Sequence, residues 1–365
     1  MKLYNIISEL EKSFQMSQAE DFDNVGLLCG NPEREITGIL VCHDALENVV
    51  EEAIAKHLNL IVCFHPIIFS GLKSITGKNY VERAILKAIE NQIAIYAIHT
   101  AFDNDYFGVN YQICETLGLK NQNILMPKQN NLKQLAVYVP HSHTEAVKEA
   151  IFAAGAGHIG FYDECSFSVS GQGTFRPLPG ANPYAGTHHT RENSQEDMLY
   201  FIFENHRQSR ILQAMKTAHP YEEVAYQIYA LDNENPYVGL GRYGDFEEAL
   251  SEEAFLKLVK EKFNLSVIRH SALRGKPVKR VGVLGGSGAS GIDAAIRQKC
   301  DAYLTGDVKY HEFFQAENKM LLCDIGHFES EQFVTQQLFD ILSEKFPKFA
   351  ILKTEENTNP VNYFL

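Results

Sequence analysis

The feature that most constrains this chain is a set of apolar runs without polar–apolar alternation, each coupled to an amphipathic stretch, found toward both ends of the sequence. Near the N-terminus, ITGILVCHD (36–44), LNLIVCFHP (58–66) and IAIYAIHT (93–100) are separated by ALENVVEEAIAKHL (45–58) and YVERAILKAIENQ (80–92). Near the C-terminus, VKRVGVLGGSG (278–288), DAYLTGD (301–307) and MLLCDIGHF (320–328) alternate with GIDAAIRQKC (291–300) and a closing helix, EQFVTQQLFDILSEKF (331–346). A strand that does not alternate is covered on both faces, the condition of a parallel strand in a βαβ sheet. The two ends, 1–125 and 239–365, therefore read as halves of one α/β domain.

The middle follows another pattern. NLKQLAVYVPHSHTEAVKEAIFAAGA (131–156) reads as strand then helix, and the Gly- and Pro-rich SFSVSGQGTFRPLPGANPYAG (166–186) reads as hairpin or edge structure. Residues 198–231 then give strand, helix and strand again. That order predicts a ferredoxin-like α+β unit, inserted over 126–238. With 365 residues, a second domain is also what the limit on a single core leads one to expect.

Charge and cysteine usage narrow the setting. Lys and Arg total 33 against 46 Asp and Glu, a formal charge of −13, so the overall field repels phosphate backbones and disfavours nucleic acid as a partner. The seven cysteines form no CxxC pair, which is reduced, cytoplasmic usage. The opening MKLYNIISELEKSF spaces its apolar residues as an amphipathic helix, not a signal peptide or anchor. No apolar run reaches the roughly 20 residues a membrane span needs.

Four polar segments follow apolar strands: Phe64-His65-Pro66, the stretch from His99 to Asp103, Thr305-Gly306-Asp307, and the stretch from Asp324 to His327 with Glu331 beyond it. In open parallel sheets ligands bind outside the carboxyl ends of the strands, so these segments are expected on one rim. His327 and Glu331, four apart and read as entering the closing helix, would share a face. Such His, Asp and Glu donors suit a divalent Zn, Mn or Fe ion. The plainer reading is a histidine that packs a strand end, a Glu331 that serves a helix dipole, and an Asp103 that forms a turn. Gly286 to Gly291 also fits G-x-G-x-x-G, with Asp307 about 20 residues on; its place in the second half of the sheet favours a tight turn over a dinucleotide site.

Longer segments carry a resemblance. LNLIVCFHPIIFSGLKSITG (58–77), AIYAIHTAFDNDYFGVN (94–110), GTFRPLPGANP (173–183), HPYEEVAYQIYAL (219–231), GLGRYG (239–244), YLTGDVKYHE (303–312) and DIGHFESE (324–331) are similar to the Nif-three-like family, also called the dinuclear-metal-centre or GTP cyclohydrolase I type 2 homolog family. The resemblance implies a toroidal homohexamer with paired metal sites, and an inserted domain like the CutA and P-two signalling proteins. It implies that two adjacent histidines, an aspartate and a His-x-x-x-Glu segment hold two divalent ions. The matching residues are His65, Asp103, His327 and Glu331; the first of the adjacent histidines is replaced by Phe64. Four protein ligands thus remain where five are usual, so one ion is expected to be weak or absent unless His99 or a water substitutes. The expected activity is metal-dependent hydrolysis of a nucleotide-like or other phosphorylated small molecule. A ring-shaped regulatory or metal-handling protein without turnover is the alternative.

Overall fold

The computed structural model describes residues 1–364. The chain divides into two compact units, one formed by Met1–Met126 with the chain from Val238 onward, the other by Pro127–Tyr237.

The first unit contains two mixed sheets. In the five-stranded sheet the order is Gly26–Cys29, Ala94–Ala97, Leu60–His65, Gly38–Asp44, Ala350–Lys353. All neighbours run parallel except Gly26–Cys29, which is antiparallel to its partner. Side chains from Gly38–Asp44 and Leu60–His65 enter two separate cores. Ile39, Val41, Val62 and Phe64 join one, whereas Leu40, Cys42, Ile61 and Cys63 join the other, against helices Glu47–Ala55 and Tyr80–Glu90. Burial on both faces is why these runs lack alternation.

The six-stranded sheet runs Arg269–His270, Leu321–Asp324, Ala302–Gly306, Val278–Ser287, Asn235–Leu250, Lys120–Lys128. Its middle three strands are parallel. Val281, Val283, Leu304 and Cys323 from this sheet enter the same apolar cluster as Ile39, Val41 and Phe64 from the other, together with Val334, Leu338 and Leu342 of the helix Val334–Lys345. One core therefore binds the two chain ends together, and the carboxyl ends of several parallel strands open on one rim.

Two local expectations are corrected. Glu331 does not begin the closing helix; it ends a separate five-residue helix, His327–Glu331, and the chain restarts as Val334–Lys345. Asp103 is not in an open turn but ends a short helix, Thr100–Asp103.

The second unit has strand Leu132–Pro140, helix Thr144–Ala153, strands Phe167–Phe175 and Glu192–Glu204, helix Gln208–Ala218 and strand Tyr226–Ala230. Its sheet order, Phe167–Phe175, Glu192–Glu204, Leu132–Pro140, Tyr226–Ala230, places the first and third strands in the centre. All pairs are antiparallel. This is the ferredoxin-like arrangement. The unit has its own core of Leu135, Val137, Val147, Ile151, Leu199, Phe201, Ile211 and Met215.

Candidate metal centre

The strands Gly38–Asp44 and Leu60–His65 pair Asp44 with His65 in register, so both side chains emerge together at the rim. His327 enters from the other sheet, after Leu321–Asp324 and a turn at Gly326, whose φ of +93° favours glycine. That turn is fixed by Asp324, whose carboxylate accepts from the Gly326 and Val308 amides, each at 3.0 Å, and pairs with Arg269 at 2.8 Å.

Three donors form a triangle. His65 Nε2 and His327 Nε2 are 3.4 Å apart, and Glu331 Oε2 lies 3.4 Å from the first and 3.3 Å from the second. Bonds of about 2.0–2.1 Å to a tetrahedral zinc ion put ligand atoms about 3.3–3.4 Å apart, so this triangle has the edge length of three tetrahedral positions with the fourth open.

Carboxylates hold the opposite nitrogen of each ring. Asp44 Oδ1 lies 2.9 Å from His65 Nδ1, and Asp307 Oδ2 lies 2.7 Å from His327 Nδ1. A carboxylate on Nδ1 fixes the ring and leaves Nε2 for an ion. His43 differs, because both of its ring nitrogens meet carboxylates. Its Nδ1 lies 2.8 Å from Asp44 Oδ2 and its Nε2 lies 3.1 Å from Glu331 Oε2.

The carboxylates of the site draw positive charge onto its imidazoles. Burial pushes the Asp103 carboxyl well above its ordinary range, and the nearby Glu331 carboxylate adds to the effect. Asp103 Oδ1 is buried and finds no hydrogen-bond partner among the described residues. Although burial opposes it, hydrogen bonds to Asp44 and Glu331 raise His65 to about 10. His327 rises to about 9 against burial, through Glu331 and Asp307. Glu331, opposed by burial, is held well below its ordinary value by His327, His43 and His65. The preformed donor triangle and the unpartnered Asp103 oxygen fit a divalent ion.

The triangle opens into a cleft of about 800 Å³ within the first unit, lined among others by His65, His99, Asp103, His327, Glu331 and Phe69. His65, His327 and Glu331 are thus brought into ligand distance of one another, and Asp103 lines the same cleft. His99 is 5.1 Å from His65 between ring centroids, with its Nδ1 2.8 Å from Asp23 Oδ1. Phe64 is fully buried, packed against the His43, His65 and His99 rings.

Sequence reasoning passed over His43 and Asp44, although both end an apolar strand under the same rule that singled out His65. It also passed over Asp23, which precedes the first strand and carries no spacing signal. The glycine-rich segment has a structural role. Gly286 N donates to Ser330 Oγ at 2.9 Å, and a Cβ there would strike Glu331, while Asp307 is engaged by His327. Together with Gly288 N donating to Gly286 O at 3.2 Å, these contacts belong to the tight turn that the spacing favoured over a dinucleotide site.

The comparisons agree with this architecture. The family described as Duf34/NIF3 (NGG1p interacting factor 3) matches residues 1–360. A Bacillus subtilis (strain 168) protein named GTP cyclohydrolase 1 type 2 homolog is 37% identical over 366 residues, covering 98% of this chain and 97% of its own length. The crystal structure of a Bacillus cereus protein related to NIF3 superposes with a TM-score of 0.85 at 35% identity, covering 100% of this chain and 99% of the other. A Staphylococcus aureus structure gives a TM-score of 0.79 at 28% identity, covering 100% and 99%. No helix among the described residues is long and apolar enough to cross a membrane. Matched along almost its whole length in sequence and in fold, the chain belongs to the Duf34/NIF3 family.

Proposed function

We propose that this chain is a metal-dependent hydrolase acting on a nucleotide-like or other phosphorylated small molecule, working as a cytoplasmic homohexamer. The observation that carries the reading is the His65–His327–Glu331 triangle, spaced for one divalent ion and left open toward the cleft.

His65, His327 and Glu331 would hold the ion, with Asp103 facing the same space. When bound, the ion supplies Lewis acidity and makes a nearby water a stronger nucleophile at neutral pH. Asp44 and Asp307 keep Nδ1 of their histidines engaged, so that Nε2 faces the ion. Asp103, buried and without a partner on Oδ1, is placed to accept a hydrogen bond from a substrate or water entering the cleft. Phe22 and Phe69, exposed at the cleft with ring centroids 6.5 Å apart, offer flat apolar surfaces to a planar base. The cleft volume lies in the range of small-molecule sites. The cyclohydrolase name of the relatives supports the nucleotide class, since opening a purine ring also requires water to attack a carbon.

The test is elemental analysis of protein purified without added ions, followed by a metabolite-depletion assay. Bound Zn, Mn or Fe, lost in His327→Ala and retained when His188, an exposed residue of the second unit, is changed in His188→Ala, is expected, together with consumption of a phosphorylated metabolite. Equal metal content in both variants refutes the site. Metal without any turnover favours the metal-handling alternative. Sedimentation at a mass other than six chains refutes the hexamer.

A further inference from the structure

We infer that His43 is a positioning residue whose imidazole clamps the Glu331 ligand oxygen by a hydrogen bond. The inference rests on the metal-binding reading above and concerns how the centre is held.

The strand register puts His43 beside Phe64. Gly38–Asp44 and Leu60–His65 pair Cys42 with Cys63 and Asp44 with His65, leaving His43 and Phe64 as neighbours between these pairs. Alternation along a strand sends both side chains to the same face of the sheet. Their ring centroids are 5.6 Å apart, and both residues are buried.

Its contacts are those of a clamp. Asp44 holds Nδ1 of His43 with one oxygen and Nδ1 of His65 with the other, at 2.8 and 2.9 Å. Nε2 of His43 then meets Glu331 Oε2, the same oxygen that faces His65 Nε2 and His327 Nε2. The closed donor groupings set His65 with His327 and Glu331, and His43 with Asp44 and His65; His43 is not within ligand range of the whole triangle. Its distance of 3.1 Å to Glu331 is a hydrogen bond in which Nε2–H donates, and because Nδ1 also meets a carboxylate the His43 ring carries both protons. Phe328 also packs against the His43 ring, at 4.9 Å between centroids. A ligating carboxylate held by such an outer hydrogen bond is fixed in orientation, and losing a partner of this kind typically costs 10–100-fold in metal affinity.

The experiment is Zn²⁺ titration of the full chain, wild type and variants, with stoichiometry and affinity read separately and unfolding midpoints of the ion-free proteins as fold control. Wild type should bind one tight ion per chain. His43→Leu should keep that stoichiometry and lose about 10–100-fold in affinity, and His43→Gln, which retains an N–H donor, should recover part of the loss. Should His43→Leu fail to fold, the His43→Gln and His43→Asn pair carries the comparison: the longer His43→Gln, whose amide takes the place of Nε2, should bind more tightly, and equal affinities overturn the inference. Unchanged affinity in every His43 variant overturns the inference while leaving the metal site intact. Two tight ions in wild type, falling to one in the variants, overturns it in favour of direct ligation by His43. No ion in wild type refutes the metal reading itself.

Discussion

His327 and Glu331 face each other across a single helical turn, Nε2 to Oε2 at 3.3 Å, with the backbone of Gly306 directly behind His327. A Cβ on Gly306 would lie 2.7 Å from His327 N and 2.8 Å from its Cα, closer than backbone atoms can accept. Gly306→Ala must therefore push the His327–Glu331 helix away from its strand. Overpacking of this kind costs about 1–3 kcal/mol. The expected result is a modest loss of stability together with at least tenfold weaker metal binding, although no donor has been removed. Calorimetric titration checks it, and wild-type affinity in Gly306→Ala would show that the helix can move without opening the triangle.

Glu252 and Arg274 give a pH prediction that involves none of the metal donors. Both side chains are buried, and the Glu252 carboxylate accepts from Arg274 Nε at 3.1 Å and from the Arg274 and Gly275 amides at 2.9 Å each. Burial opposes ionisation, but these hydrogen bonds hold Glu252 below the ordinary glutamate value. A depressed folded-state value gives stability that is present above the unfolded pKa of about 4.3 and lost as pH falls through the folded one. Glu252→Gln should thus cost about 1–3 kcal/mol at pH 7, and the difference should shrink below about pH 4. Urea unfolding at pH 7, 4 and 3 measures it. A penalty that stays constant down to pH 3 contradicts the account.

The second unit should be removable. Met126 and Val238 lie on strands, Lys120–Lys128 and Asn235–Leu250, that are neighbours in one sheet, so a short turn can join them. Each unit also has a separate apolar core. A chain lacking 127–237 is expected to be soluble and to unfold cooperatively with its metal affinity retained. Aggregation of this deletion, with Pro127–Tyr237 also unfolded when made alone, would place the boundary elsewhere.

Much of this was legible in the sequence, for reasons that also explain what was not. Parallel strands buried on both faces leave unbroken apolar runs, and their carboxyl ends announced His65, Asp103 and His327. The i,i+4 spacing of His327 and Glu331 survived even though the helix that carries them is shorter than the pattern suggested. Partners that orient the rings left no such mark. Asp44 reaches His65 only because strand register sets them side by side, and Asp307 reaches His327 from the end of a neighbouring strand, Ala302–Gly306. His43 was hidden by its setting: a histidine inside an apolar run reads as core until the register places it beside Phe64. The glycine-rich segment was set aside as a tight turn from its place in the second half of the sheet, and its glycines allow close approach of the strand to Glu331 and Thr305.

Phe64 itself supplies the last prediction. Its phenyl ring is fully buried on the same sheet face as His43 and packs against the rings of His65 and His99, two residues that line the cleft. Phe64→His replaces apolar packing with a polar ring, and without ions it should destabilise the protein by about 1–3 kcal/mol, the usual cost of burying an unpaired polar group. With excess Zn²⁺ or Mn²⁺ the balance should reverse. The new nitrogen and the unpartnered Asp103 oxygen can together hold a second ion, and binding to the folded state alone raises stability by about 2.7 kcal/mol at a hundredfold excess over Kd. Anomalous diffraction at the metal edge should show one full-occupancy peak in wild type and two in Phe64→His, within about 4 Å of each other as in two-metal centres. Two full peaks already present in the unmodified protein, or only one in the variant at saturating ion, would mean that Phe64 does not limit the centre to a single ion.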